Sequence, residues 1–194
     1  MSWLRPTGRA PAALVAALGK DEQVMGLTPT QDGRILAASR FGIWLVDGDV
    51  AERWDWHLIS KARLADRVLG LTVADQVDRW PDGTAVLVDR PEVQIRPERL
   101  SKLTDTVHHR VRRSVAASRY LPWAGAGGWV VLRRVPGRDG LVVQLRLDAG
   151  ADPSAPGFAQ AVTAVVGDLW PAGVPRRMTE PGTGPGTRTE TGTD

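Results

Sequence analysis

From residue 21 to residue 96 the chain runs in short apolar stretches separated by turn signals. The breaks fall at Gln31-Asp32-Gly33, Arg40-Phe41-Gly42, Asp47-Gly48 and Pro81-Asp82-Gly83. Asp-Gly pairs favour tight hairpin turns, because glycine accepts positive φ. Between the breaks, residues 35–39, 43–46, 53–59, 64–73, 84–89 and 92–96 have strand length, and several alternate with a period of two. Trp54, Trp56 and Leu58 fall on one face, and Arg53, Asp55 and His57 on the other. Val93 and Ile95 share a face. The pattern predicts a meander of half-buried antiparallel strands.

After Pro97 the period changes. Leu100, Leu103, Val107, Val111 and Val115 recur every three or four residues, which predicts a helix over about 98–118 with this stripe inward. Pro97 suits a first helical turn, and Pro122 cannot continue a helix. Strand patterning returns at 129–135 and 141–147, flanking a hairpin loop, Pro136-Gly137-Arg138-Asp139-Gly140. Asp152-Pro153-Ser154 then opens a second amphipathic helix carrying Phe158, Val162, Val165 and Leu169, which Pro171 ends. A short helix is expected within 10–19, stopped by Gly19. Pro, Gly and Thr fill 15 of the last 24 residues, so 171–194 are expected to be disordered and dispensable for folding.

The chain thus divides into an N-terminal segment with a short helix (1–20), a strand meander with its long helix (21–120), a hairpin and helix packed on the same domain (121–170), and a tail. The expected class is α+β, predominantly antiparallel β. Particular residues go further. Asp21-Glu22-Gln23-Val24-Met25-Gly26-Leu27, then Asp32-Gly33, then Ala37-Ala38-Ser39-Arg40-Phe41-Gly42-Ile43-Trp44-Leu45 resemble the opening strands of uncharacterised pleckstrin-homology-like (PH-like) domain proteins of high-GC Gram-positive bacteria. Trp56-His57-Leu58-Ile59 with Ala62 is similar to their middle turn, and Val107 to Ser118, the hairpin and Asp148-Ala149-Gly150-Ala151-Asp152-Pro153 are similar to their C-terminal half. The resemblance covers roughly residues 10–170. It implies a PH-like barrel capped by the long amphipathic helix, with the hairpin and C-terminal helix added. It supplies no activity; PH-like folds in general serve as binding platforms.

Composition narrows the chemistry. Hydrophobic residues make up 42% of the chain, enough for a core. There is no cysteine, which removes disulfides, thiolate nucleophiles and cysteine-based metal sites and fits a reducing cytoplasm. The stretch 10–19, preceded by Arg5 and Arg9, resembles a signal peptide, but it is short and contains Pro11. No apolar run reaches the ~18–20 residues of a membrane span. A cytoplasmic location without a transmembrane segment is therefore expected. Eight tryptophans stand against one tyrosine and two phenylalanines, and most are expected in or beside the core.

Of the three histidines, His57 falls outward on a strand, and the adjacent His108 and His109 diverge by about 100° on a helix, so no metal site is expected. No G-x-S-x-G surrounds Ser39 or Ser114, and Gly125-Ala126-Gly127-Gly128 lacks the Gly-Lys-Ser/Thr ending of a phosphate loop. No catalytic residue and no cofactor is expected, and the leading expectation is a non-enzymatic binding or adaptor module with a protein partner. One charge cluster stands out. Between Arg96 and Arg119 lie six arginines and one lysine against Glu98 and Asp105, a net +5, where the whole chain carries +3. Lys102, His109, Arg110, Arg112, Arg113 and Arg119 form a candidate anion-binding face for an acidic protein, nucleic acid or an anionic membrane surface. Arg133, Arg134 and Arg138 on the hairpin are the next candidates. The alternative is that arginines near a helix C-terminus complement its dipole and keep the face soluble. An enzyme whose site is invisible in the sequence remains the third reading.

Overall fold

The computed structural model describes residues 9–99 and 102–174, with only the backbone of Lys102. Helix α1 spans Ala12–Ala17. Strands β1 (Val24–Pro29), β2 (Ile35–Ser39), β3 (Gly42–Asp47) and β4 (Val50–Asp55) form a four-stranded antiparallel meander. Gly48, at φ +54°, makes the tight turn between β3 and β4, where Asp47 faces Val50. Next come β5 (Ile59–Ala65), β6 (Val68–Arg79), β7 (Ala85–Asp89) and β8 (Val93–Ile95), then α2 (Lys102–Ser114). Strands β9 (Val115–Leu121), β10 (Gly128–Arg133) and β11 (Val142–Leu147) and helix α3 (Phe158–Leu169) complete the order.

The second sheet runs β5-β6-β7-β11-β10-β9, with β8 also on β6. Twelve-residue β6 is shared: its first half pairs with β5 and β8, its second with β7. Strands β7 and β8 lie end to end along it. The Arg90 N–H still donates to the Val73 carbonyl at 2.8 Å, and Pro91, which has no N–H, then interrupts the ladder. Between the two sheets the end of β1 meets the segment after β8. Gln31 N–H donates to Arg96 O (2.8 Å) and Glu98 N–H to Pro29 O (2.9 Å), around a bridge between Thr30 and Pro97. The first sheet and the β5–β8 part of the second thus curl into a half-barrel around Leu36, Ile43, Trp56, Ile59, Leu69 and Ile95, all essentially inaccessible. Helix α2 lays Leu103, Val107 and Val111 on that core.

Smaller cores flank it. Leu14 of α1 packs on the outer face of the first sheet against Ala37, Trp44 and Val46. On the other side, Val130, Leu132 and Leu145 meet Phe158, Val162 and Val166 of α3. Strand β11 joins the two parts by pairing in parallel with β7.

The expected α+β class, dominated by antiparallel strands, is what the chain adopts. Leu103, Val107 and Val111 are buried as expected; Leu100 lies outside the described residues, as do 175–194 of the expected tail. Six of the seven described tryptophans are buried or half-buried, and Trp129 is exposed. Four local expectations are corrected. The helix expected to about 118 ends at Ser114, and Val115 to Ser118 run straight into β9, where pairing with β10 replaces the helical bonds. The strand expected over 53–59 breaks at a corner after Asp55, because Trp56 turns inward: its N–H reaches Phe41 O (3.1 Å) and its indole N–H reaches Ser39 O (3.0 Å). The strand expected over 64–73 is a hairpin turning at Asp66 and Arg67, both at positive φ without a glycine to signal it. His57, expected at the surface, is half-buried, and its carbonyl accepts a bond from Gln144 Nε2 at 3.0 Å.

Candidate functional site

Near its C-terminus α2 turns Val111 inward and leaves Arg112 and Arg113 exposed, as a helical stripe requires. The end of β10 meets this terminus directly. Arg134 N–H donates to Ser114 O at 2.7 Å, and the Arg134 guanidinium reaches Arg113 O at 3.4 Å. A cation there satisfies helix carbonyls that have no intrahelical donor. The contact places His109, Arg110, Arg113 and Arg134 around one cavity of about 380 Å³, closed by Trp56 and the Val135-Pro136 turn. Among the described residues no carboxylate lines it. Arg113 Nη1 is 3.5 Å from His109 Nε2, and Arg110 Nη2 is 3.4 Å from Met25 Sδ.

The structure therefore splits the six expected residues. His109, Arg110 and Arg113 converge. Arg112 is exposed outside the cavity. Arg119 is not on the helix; it stands on β9 and pairs with Asp168 of α3 at 2.7 Å. The side chain of Lys102 lies outside the described residues. Of the hairpin arginines, Arg134 joins the cavity and Arg138 lines its neighbour. Arg133 is no surface residue: its guanidinium is buried and donates to Ser114 Oγ, Ile59 O (3.0 Å) and Trp56 O (3.4 Å). Burial, with repulsion from Arg146, pushes its pKa down to about 10, so it stays charged at neutral pH.

The neighbouring cavity, about 400 Å³, shares the Val135-Pro136 ridge and has mixed charge. Two of its three carboxylates, Glu22 and Asp55, are already engaged. Glu22 accepts from Ser39 Oγ, Trp44 Nε1 (3.1 Å), Arg53 Nη1 (2.9 Å) and Gly19 N–H (3.3 Å). Burial alone would push this carboxyl up; the hydrogen bonds and the Arg53 charge outweigh it and hold it below the ordinary range. Asp55 takes Arg53 Nε at 2.7 Å. Burial also lowers the His57 pKa; Asp55 opposes that, and Arg133, Arg138 and Arg53 reinforce it. Ser39 and Ser114 spend their hydroxyls within these networks. Among the described residues no group of three His, Asp or Glu side chains could hold a metal ion, and no helix is long and apolar enough to cross a membrane.

Sequence spacing identified His109, Arg110 and Arg113 but could not bring Arg134 to them, because that meeting depends on β10 docking at the helix end. Comparison with known proteins returns no match to any family model, curated protein or solved structure.

Proposed function

We propose that this protein is a non-enzymatic binding module of the cytoplasm, a PH-like barrel that docks an acidic segment of a protein partner in the arginine cavity at the end of α2. One observation carries the reading: two separate elements bring three arginines and a histidine around a single cavity that, among the described residues, no carboxylate lines. Guanidinium groups recognise carboxylates in pairs of parallel bonds, so such a cavity suits Asp and Glu side chains. A half-barrel with a helix laid on its core agrees with the PH-like resemblance. Nucleic acid is the weaker alternative. The one aromatic lining the cavity, Trp56, is fully buried and offers no stacking face.

The test is fluorescence anisotropy with a labelled Asp/Glu-rich peptide and with a single-stranded oligonucleotide. The peptide should bind at low salt and weaken steeply as salt screens the charges. Arg113→Ser and Arg134→Ser should each reduce its affinity several-fold, while Arg112→Ser, outside the cavity, should leave it unchanged. Equal losses in all three variants would mean diffuse attraction and no site. Binding of the oligonucleotide alone would replace the proposal with the nucleic-acid reading.

A further inference from the structure

The face of β10 and β11 turned away from α3 has its own character. It carries Trp129, Val131 and Arg133 on β10 and Gln144 and Arg146 on β11. With Ser60 and Lys61 of β5 this face encloses a second cleft of about 410 Å³. Arg146 lines the cleft with a side chain only 8% exposed. Its Nη2 donates to Asp89 Oδ1, but its Nε and Nη1, themselves closed to solvent, have no acceptor among the described residues, and neither has Arg133 Nε. Unmet donors on buried guanidinium groups are costly and uncommon. At the same cleft Trp129 is 47% exposed, beside Tyr120 at 5.6 Å between ring centres, with Val131 and Leu147 as apolar wall.

We propose that this cleft binds a small organic carboxylate on a flat apolar body, the carboxylate on Arg146 and the ring against Trp129. The volume is that of a small-molecule site. A ligand carboxylate that displaces Asp89 takes over the charge-assisted bond that Arg146 Nη2 donates, away from water. The half-exposed indole gains apolar and stacking contact from a planar body. Asp89 is the internal competitor. Its side chain is 43% exposed, and its second oxygen already takes a bond from Ser60 Oγ at 3.0 Å, so it can turn aside as a ligand carboxylate arrives.

The competition gives a sharp test. Indole-3-acetate and its neutral amide, indole-3-acetamide, are titrated into the 15N-labelled full chain. The Trp129 indole N–H resonance is assigned by its loss in Trp129→Phe. The acid should shift that resonance and bind at least ~10-fold tighter than the amide, since only the acid makes the charge-assisted bonds. Asp89→Asn should tighten the acid further, by about tenfold, and leave the amide unchanged. Trp129→Ala, an exposed substitution, should weaken the acid without unfolding the chain, and Arg113→Ser should have no effect here. If Asp89→Asn does not fold, the comparison of acid with amide on the unaltered chain decides. Acid and amide binding alike, or a Trp129 resonance unmoved by about 10 mM acid, well above typical small-ligand affinities, overturns the proposal.

Discussion

Replacing Arg133 tests how the barrel is joined to the strands that follow it. The guanidinium ties three places together: the end of α2 through Ser114 Oγ, and the corner between β4 and β5 through the carbonyls of Trp56 and Ile59. Arg133→Ala leaves the Ile59 carbonyl without this donor, while Ser114 Oγ keeps its bond to the Val111 carbonyl. That lost partner costs about 1–2 kcal/mol. The bond to Trp56 O, at 3.4 Å, is long and adds little. The truncation also opens a void where a large side chain was fully buried, a further ~2 kcal/mol. The expected loss is about 3–4 kcal/mol, a large part of the ~5–15 kcal/mol that holds a domain together. Arg133→Met keeps most of the volume and removes a buried charge that has no carboxylate bonded to it. It should cost about 1–2 kcal/mol. Urea unfolding followed by tryptophan fluorescence measures both, with equal m-values confirming that the comparison is of stability. Arg133→Ala within ~1 kcal/mol of the parent would refute the account, since it would mean the carbonyls find other donors. A Met variant weaker than the Ala variant would refute it too, because the volume argument would then have the wrong sign.

Three further outcomes concern other parts of the fold. A Cβ at Gly42 would lie 2.4 Å from the Trp54 carbonyl oxygen, so Gly42→Ala should lower stability by about 2–3 kcal/mol, read as a drop in the urea midpoint. Asp66 and Arg67 turn the β5–β6 hairpin at φ 48° and 62°, so the double substitution Asp66→Asn with Arg67→Gly should raise stability by about 1 kcal/mol, seen as a higher Tm. His57 titrates below its ordinary 6.5 in the folded chain, so stability should be full above that value and fall as the pH drops beneath it, where the unfolded chain takes the proton first. His57→Gln should remove the part of the loss that appears between about pH 7 and about pH 5.5, measured as urea midpoints at the two pH values.

What the sequence reveals and conceals divides along physical lines. Ile35 to Ser39 reads as a strand and is one, and Phe158 to Leu169 reads as a helix and is one, because a local period and a local stop signal coincide there. Val115 to Ser118 continue the helical spacing of α2 without a break. Their strand state comes from β10, which offers Val115, Ala117 and Ser118 the partners Arg133, Leu132 and Val131. Such pairing partners are distant in sequence and leave no local trace. Asp66-Arg67 lacks the glycine that usually marks a two-residue hairpin turn, so the only local cue is absent. The arginine cavity is half legible for the same reason. Its helical members share a face by spacing, whereas Arg134 arrives through the Ser114 contact.

The hairpin strands also decide where the clefts open. Their alternation sorts Val130, Leu132 and Leu145 to one side and Arg133, Gln144 and Arg146 to the other, and a lone hairpin with that pattern would keep the second side in water. Here that polar face is closed by the barrel, with Gln144 on the His57 carbonyl, Arg133 on the Ile59 carbonyl and Arg146 on Asp89. Joining two units through a polar face costs more desolvation than an apolar one, and the residue of that cost is visible in the unpartnered Gln144 Oε1 and guanidinium nitrogens. Both clefts argued to bind ligands open along this seam: the arginine cavity where Arg134 meets α2, and the Arg146 cleft where β5 faces β10. Arg133 stands between them, bonded to Ser114 of the first and lining the second. A polar seam therefore places Arg133 and Arg146 at the second opening, where an apolar seam of the same shape would have buried Leu or Val and left that cleft without its guanidinium donors.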